Sequence, residues 1–506
     1  MFYPPWMGPE QTQTWGLIIL LAVVIILAFV GALTGVCRAS DPLCVPEVAS
    51  PSLGVASFAV YNQCPCNVSG VIRNTTNART LSNDVFGSGN ALLDDPRGVS
   101  AFSVFFAQFV LHDVYRPINN PAALYTVPVP QPDPVFGTAF TEIDVSVPFL
   151  DGGSTCASNP LSNTSYFIDL SNVYGSTVDE MNKVRLFSNG KLRLQSGGAG
   201  GGSGGSRLLP AKYSDDGFVM ADDRDNDNAG LVSLHTLAVR NHNHWAGEVK
   251  RFHWDWSDDQ VFWKARQLNI AEWQRITYHE WLPAVFGTAA PPVDVGSLLP
   301  DTSLESRVST EFVSVLMPAL IDTMMTNVIY PSIPYSTFAA GDPRDVFNYI
   351  RSNNIDAFVE GTAKTCAKAF DDQVIAERRN TVTTNITELL DHVAIHLQRS
   401  RVFKVQDWAV AYTCFGPTPI AGDPRDAYEG FLQEPVYPGT STGLTIATGI
   451  SNQFLRLRNS DPNYYSFNEQ AIGQVYWNTI NSASMKTLIQ RNSQTEVSQS
   501  PFIAQK

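Results

Sequence analysis

Hydrophobic residues fall along this chain in two distinct patterns, separated by polar stretches. The first is an unbroken run, Trp15 to Val36 (WGLIILLAVVIILAFVGALTGV), 22 residues without a charge. At ~1.5 Å of helical rise per residue it extends ~33 Å, enough for a bilayer core of ~30 Å. It predicts one transmembrane helix. A cleaved secretory signal is the alternative, disfavoured by the length of the run and by the lack of Lys or Arg from Met1 to Gln13. The second pattern is apolar residues at three- and four-residue spacing, clearest in Asp258 to Phe286 (DDQVFWKARQLNIAEWQRITYHEWLPAVF). Its long aromatic face predicts a buried helix of a large α-helical body, with Pro283 marking its end. Phe105, Phe109 and His112 also share a helical face, with Gln108 one turn before His112. Gly197 to Ser206 (GGAGGGSGGS) has no core-forming side chain and reads as a surface loop. The residues from Thr495 on are mostly polar and are expected to fray. No stretch reads as strand-rich, and no repeat of 20–50 residues is present.

The expected organisation is a tail (1–14), a membrane helix (15–36), a Cys-, Pro- and Ser-rich stalk (37–77), one large helical domain (78–494) carrying the glycine-rich loop (197–206), and a polar tail (495–506). With 506 residues and 44% apolar content the chain can bury a sizeable core. A net charge of −14, with no run of five basic residues, argues against a nucleic-acid surface. Seven cysteines (37, 44, 64, 66, 156, 366, 414) and four sequons (Asn67, Asn74, Asn163, Asn385) all follow the apolar run. They predict a lumenal or extracellular body with some disulfides, or a secreted one if the leader is cleaved. Cys64-Pro-Cys66 has no second pair at zinc-ligand spacing, and the odd count leaves at least one thiol free or paired between chains.

Three blocks carry candidate chemistry. His112, in Phe106-Ala-Gln-Phe-Val-Leu-His112-Asp113, lies on an apolar helix, where a histidine is more often packed or capped than catalytic. Ser165, Asp169 and Ser171 offer oxygens at alternating positions, with the Phe167 carbonyl between them. Calcium takes six to eight hard oxygens, and this loop plus Asp113 supplies most of them; a Ser/Asp-rich turn before a helix is the plainer alternative. Arg224, in Asp222-Asp-Arg-Asp-Asn-Asp227, reads by itself as a surface ion-pair partner.

Taken in order, these blocks resemble the animal haem peroxidase (peroxidase–cyclooxygenase) superfamily. Ala78 to Phe86 resembles the family's opening segment, Gln108 to Asp113 its distal helix, Ser165 to Ser176 its calcium loop and Arg224 to His235 its catalytic-arginine segment. Ala265 to Pro283 and Gln453 to Arg458 are similar to further family blocks, so the resemblance covers roughly Ala78 to Gln490. It implies a mainly α-helical domain around a haem cleft. It implies that His112 is the distal acid–base, Arg224 the arginine that stabilises charge as the O–O bond breaks, and Gln108 the distal-pocket glutamine. Asp113, Ser165, Phe167, Asp169 and Ser171 match the calcium positions, and Arg399 an arginine near a haem propionate. Hydrogen peroxide and a small reductant are the implied substrates.

The pattern breaks in two places. Where the family has two carboxylates that esterify haem, this chain has Leu111 and Asp227, which points to a non-covalent haem b. Where the family has its iron-binding histidine, this chain has Val315-Leu-Met-Pro318-Ala-Leu-Ile321; Pro318 falls on the histidine, and a register two residues earlier puts Leu316 there. Neither has a ligand atom, and no histidine lies between His279 and His392. Glu311 to Val315 and Thr323-Met-Met resemble the peroxidase-like ectodomain of dual oxidases, some of which also lack this ligand. His396 occupies the place of the asparagine that supports the family's proximal histidine, and is either a substitute ligand or a buried polar residue; Met317 is a weaker candidate, thioethers being known haem ligands. Two function classes stay open: a weak membrane-anchored peroxidase, and a pseudoperoxidase ectodomain serving interaction or scaffolding.

Overall fold

The domain is tied together at its very beginning. Ala78–Asp84 forms α1, capped by Asn77, whose side-chain oxygen accepts the Arg79 N–H at 2.9 Å and the Thr80 N–H at 3.1 Å. Arg79 is wholly buried and donates to Asp133 and Asp391, each at 2.8 Å. A guanidinium so deep in protein is tolerated only when paired in this way, and the pairing pins α1 to segments 54 and 312 residues further on. A computed structural model describes residues 58–59 and 76–505, with internal gaps of which 151–158, 196–208 and 406–424 are the longest. The described residues all belong to one compact unit, Ser50–Lys506. The expected membrane helix at 15–36, the glycine-rich loop and all cysteines but Cys366 lie outside the described residues, as do the sequons at Asn67, Asn74 and Asn385. Among the described residues no helix is long and apolar enough to cross a membrane, and Cys366 is a free thiol. The remaining sequon asparagine, Asn163, is half-buried beside buried Thr164 and Ser165.

Ala101–Val114 forms α2, apolar on every side: Phe102, Val104, Phe105, Phe106, Phe109 and Val110 are each at most 3% exposed. A helix apolar all round belongs in a core. Phe106 stacks on Trp273 at 5.7 Å and meets Phe502 edge-on at 4.9 Å. Each such ring contributes about 1.5–3 kcal/mol by burial. An antiparallel hairpin follows, β1 (Asn119–Pro128) and β2 (Glu142–Pro148), which the helical reading of the chain did not anticipate. Its buried side is Ile143, Val145 and Val147, alternate residues as a strand requires.

Ala229–Phe252 forms α3, capped by Asn228. Gly230 lets α3 close on α2, because a Cβ there would sit 2.1 Å from the Phe105 ring. Asp258–Ile276 forms α4, opened by a Ser257/Gln260 capping box. It does not stop at Pro283: a π-turn at Thr277–Trp281 leads into Leu282–Phe286, with Pro283 in the first turn of that last segment. A proline ring clashes with the carbonyl four residues back, and the widened turn relieves that clash. The same device recurs at Phe312–Leu316, a π-turn leading into α5 (Met317–Met324) with Pro318 in its first turn. His392–Val402 forms α6, capped by Asp391 and packed against β2.

The polar tail does not fray. Phe502 is fully buried against Phe102 and Phe106, and its carbonyl accepts from the Ser100 N–H at 3.0 Å and Ser103 Oγ at 2.9 Å. Ala504 and Gln505 donate to the carbonyls of Gly98 and Ala363. The end of the chain therefore clasps the start of α2, and two aromatic contacts outweigh the polarity of its neighbours.

Candidate active site

His112 lies on the last turn of α2 and is 7% exposed. Its Nδ1 is 3.1 Å from Oδ1 of Asp225, which is completely buried in the 3-10 turn Asp223–Asn226. Asp225 Oδ2 also meets His235 Nδ1 of α3 at 2.8 Å and Asn172 Nδ2 at 3.2 Å. Gln108, one turn before His112, accepts from Asn228 Nδ2 at 3.0 Å and is half-exposed.

Arg224 is held more tightly than a surface arginine. Its Nε and Nη2 grip Asp222 at 3.0 and 2.6 Å, and Nη2 also donates to the Tyr115 carbonyl at 3.0 Å and the His112 carbonyl at 3.3 Å. It thus caps the end of α2, where orphan carbonyls favour a cation. Burial works to raise the Asp222 carboxyl, but Arg224 beside it holds it well below the usual carboxylate range. Asp227 is open to water yet deep enough that the surrounding protein pushes its carboxyl up to about 6, against the pull of His112 and Arg224. Asp227 thus stands at the surface end of the 222–228 turn, close to His112 and Arg224. Arg399 of α6 reaches toward Tyr115 from the hairpin side, where it donates to the Ser146 carbonyl at 3.1 Å and to Ser146 Oγ at 3.2 Å. Leu111, half-buried on α2, offers no carboxylate.

Next to His112 in the chain, Asp113 contacts Ser171 and lies near Asp169, while Ser165 and Phe167 contact each other. Asp113 accepts the Leu170 N–H at 3.0 Å, the Ser171 N–H at 2.6 Å and Ser171 Oγ at 3.0 Å. Ser165 Oγ is 3.4 Å from the Phe167 carbonyl oxygen. Burial drives the Asp113 carboxyl well above the usual range, and the nearby Asp169 adds to that. A buried carboxylate raised by a second one nearby, among hydroxyl and carbonyl oxygens, is donor chemistry that suits a hard divalent cation. The Asp113 oxygens meanwhile face N–H groups.

On the other helix, every residue from Thr310 to Met324 is buried. Pro318 and Leu316 present no donor, and Met317 is 0% exposed. His396, 16% exposed at its side chain, sits with Nδ1 2.6 Å from Asp322 Oδ2. The Tyr428 hydroxyl donates to the same oxygen at 2.7 Å, and Arg378 pairs with Oδ1. Burial alone would raise Asp322, but Arg378 and His396 hold it far below the usual range. An imidazole whose Nδ1–H is held by a carboxylate is oriented as metal-bound imidazoles usually are, leaving Nε2 for the metal. His396 is thus a nitrogen donor of the kind a haem iron could use, whereas Pro318 and Leu316 offer none. Sequence reasoning missed Asp225, His235, Asp322, Arg378 and Tyr428. Asp225 and His235 stood inside a block already singled out, and a carboxylate next to an arginine with a histidine ten residues on was the available signal.

Residues 60–420 match the animal haem peroxidase family, and the chain belongs to that family. Among curated relatives it is similar to eosinophil peroxidase of Mus musculus, 25% identical over 463 residues, 76% of this chain and 63% of the relative. It is also similar to human dual oxidase 1, 26% identical over 376 residues, 68% of this chain and 24% of the relative. Of the eosinophil peroxidase's length, the chain therefore spans under two thirds. The fold matches that of peroxidase A from Dictyostelium discoideum with a TM-score of 0.76 at 20% identity, over 90% of this chain and 97% of the other.

Proposed function

We propose that this protein is a membrane-anchored peroxidase of low activity, which reduces hydrogen peroxide at the expense of a small donor. The observation that carries this reading is His112, fixed by a buried carboxylate, with Gln108 one turn before it and Arg224 on its carbonyl. Haem, when bound, supplies the redox chemistry through which peroxide receives two electrons. His112 Nε2 accepts the proton of the bound peroxide and returns it to the departing oxygen, a role worth ~10²–10⁴ in rate. Arg224 keeps a positive charge at the end of α2, next to where negative charge develops, though Asp222 offsets part of it. Arg399 is placed for a propionate. With Leu111 and Asp227 in place of the ester-forming carboxylates, the haem is held without covalent links. His396 is the residue that would face it from the other side.

Asp113, Ser165, Phe167, Asp169 and Ser171 form the proposed calcium site, tying α2 to the following loop. Residues 15–36 anchor the chain, with the body outside the cytosol. A pseudoperoxidase is the second reading, favoured by one observation: the α5 side is a closed apolar helix with proline at the ligand position. Purification of the full chain, followed by an absorption spectrum and a peroxide-dependent donor oxidation assay, separates the two. A haem band with slow turnover supports the first; haem-free protein with no turnover after reconstitution supports the second.

A further inference from the structure

The turn Asp223–Asn226 does more than carry Arg224. Asp225 is the one group in contact with both His112 and His235, and it is completely buried. A carboxylate only accepts hydrogen bonds, so the ring nitrogens that face it carry their protons. We propose that Asp225 is a positioning residue that fixes His112 as the Nδ1–H tautomer, so that Nε2 keeps a lone pair free to accept a proton, with His235 and Asn172 holding the carboxylate in place. This rests on the reading of His112 as the peroxide base for its functional meaning, but the tautomer itself does not.

The two oxygens of Asp225 are not equivalent. Oδ2 receives two donors, His235 Nδ1 and Asn172 Nδ2, whereas Oδ1 receives only His112. An amide at this position has one oxygen and one NH₂. The oxygen belongs where two donors converge, which turns the NH₂ toward His112. Facing a donor, His112 Nδ1 must become the acceptor, and the proton moves to Nε2. Asp225→Asn therefore flips His112 and leaves His235 as it was. The flipped ring has no lone pair left for a peroxide proton.

The test is ¹⁵N NMR of the full chain, labelled at histidine and free of haem, at pH 8, where an ordinary imidazole is neutral. His112 and His235 signals are assigned by their loss in the corresponding asparagine variants. Wild type is expected to show His112 protonated at Nδ1 and unprotonated at Nε2; Asp225→Asn is expected to reverse this for His112 alone. The reconstituted Asp225→Asn protein is then expected to lose on the order of 10²-fold in its reaction with peroxide. If Asp225→Asn does not fold, the wild-type tautomer decides: a proton on Nε2 of His112 overturns the proposal. An Asp225→Asn spectrum with His112 unchanged, or with His235 flipped instead, overturns it equally. A chain that shows the expected tautomers yet neither binds haem nor turns over peroxide keeps this inference and loses the peroxidase reading.

Discussion

His112 lies at the end of α2 and Pro318 at the start of α5, and their surroundings are built from different materials. Around His112 the contacts are polar and directional: Asp225 meets its Nδ1 at 3.1 Å and accepts from Asn172 at 3.2 Å, and one turn earlier Gln108 accepts from Asn228 at 3.0 Å. Around Pro318 there is an apolar helix with every residue from Thr310 to Met324 buried. Polar groups so enclosed are costly unless satisfied, and a set kept in mutual register signals a constraint that packing alone does not impose. The α5 side carries no such constraint at position 318. Its helix passes the proline through a π-turn, as α4 does at Pro283, where no chemistry is expected. The backbone accommodates Pro318 in this way, and the polar contacts of α5 gather instead at Asp322, with His396, Arg378 and Tyr428.

The largest expected effect is on the His112 side. His112→Ala should cut peroxide-dependent turnover by about 10²-fold or more, and cost about 1–3 kcal/mol of stability because buried Asp225 Oδ1 loses its partner, measured by donor oxidation and thermal melting. A variant that keeps wild-type turnover would remove the polar side from the chemistry. Next comes the clasp on α2. Phe502→Ala should cost about 3–5 kcal/mol of stability, read by denaturant unfolding, because it empties the space between Phe102 and Phe106. A loss below about 1 kcal/mol would mean the tail only rests on the surface. Calcium should act on the same helix through Asp113. Saturating Ca²⁺ at 100–1,000 times its Kd is worth about 3–4 kcal/mol, so chelation should lower the melting temperature. An unchanged melting temperature, with no metal in the purified protein, would refute the site.

The smallest effect is a pH dependence. Burial pushes the Asp461 carboxyl up to about 7, with Asp169 nearby adding to it. A carboxyl raised in the folded state stabilises below its unfolded value, near 3.9, and loses that contribution as pH climbs through about 7. The protein should therefore weaken between pH 4 and 7, by at most about 4 kcal/mol from this group. Asp461→Asn should flatten the slope at constant calcium; a slope unchanged in the variant would assign it to other groups.

Much of this was legible in the chain. His112, Gln108 and Arg224 were named from ordered motifs, and the structure sets Arg224 against the His112 carbonyl with Gln108 one turn before; of the candidate calcium residues, it joins Asp113 to Ser171 and Ser165 to Phe167. The hairpin was not, although Ile143, Val145 and Val147 alternate as a strand should; the surrounding helical patterns masked a short signal. The tail was read as frayed because its average is polar, while a single Phe502 decides its placement. Pro283 was read as a stop because i→i−4 bonding was assumed, and the π-turn breaks that assumption. Asp322 escaped because its partner His396 lies 74 residues away, beyond any local pattern, whereas Asp225 left only the weak signal of His235 ten residues on.

The central claim is that the His112 side is intact while position 318 leaves iron without its usual ligand. The measurement that tests it most directly is the haem absorption spectrum of the purified full chain, alone and as Pro318→His and His396→Ala. The account predicts partial haem content in wild type, higher occupancy in Pro318→His, and loss or a blue shift of the Soret band in His396→Ala. Wild-type protein that purifies fully loaded with haem, turns over fast and is indifferent to His396→Ala would contradict it.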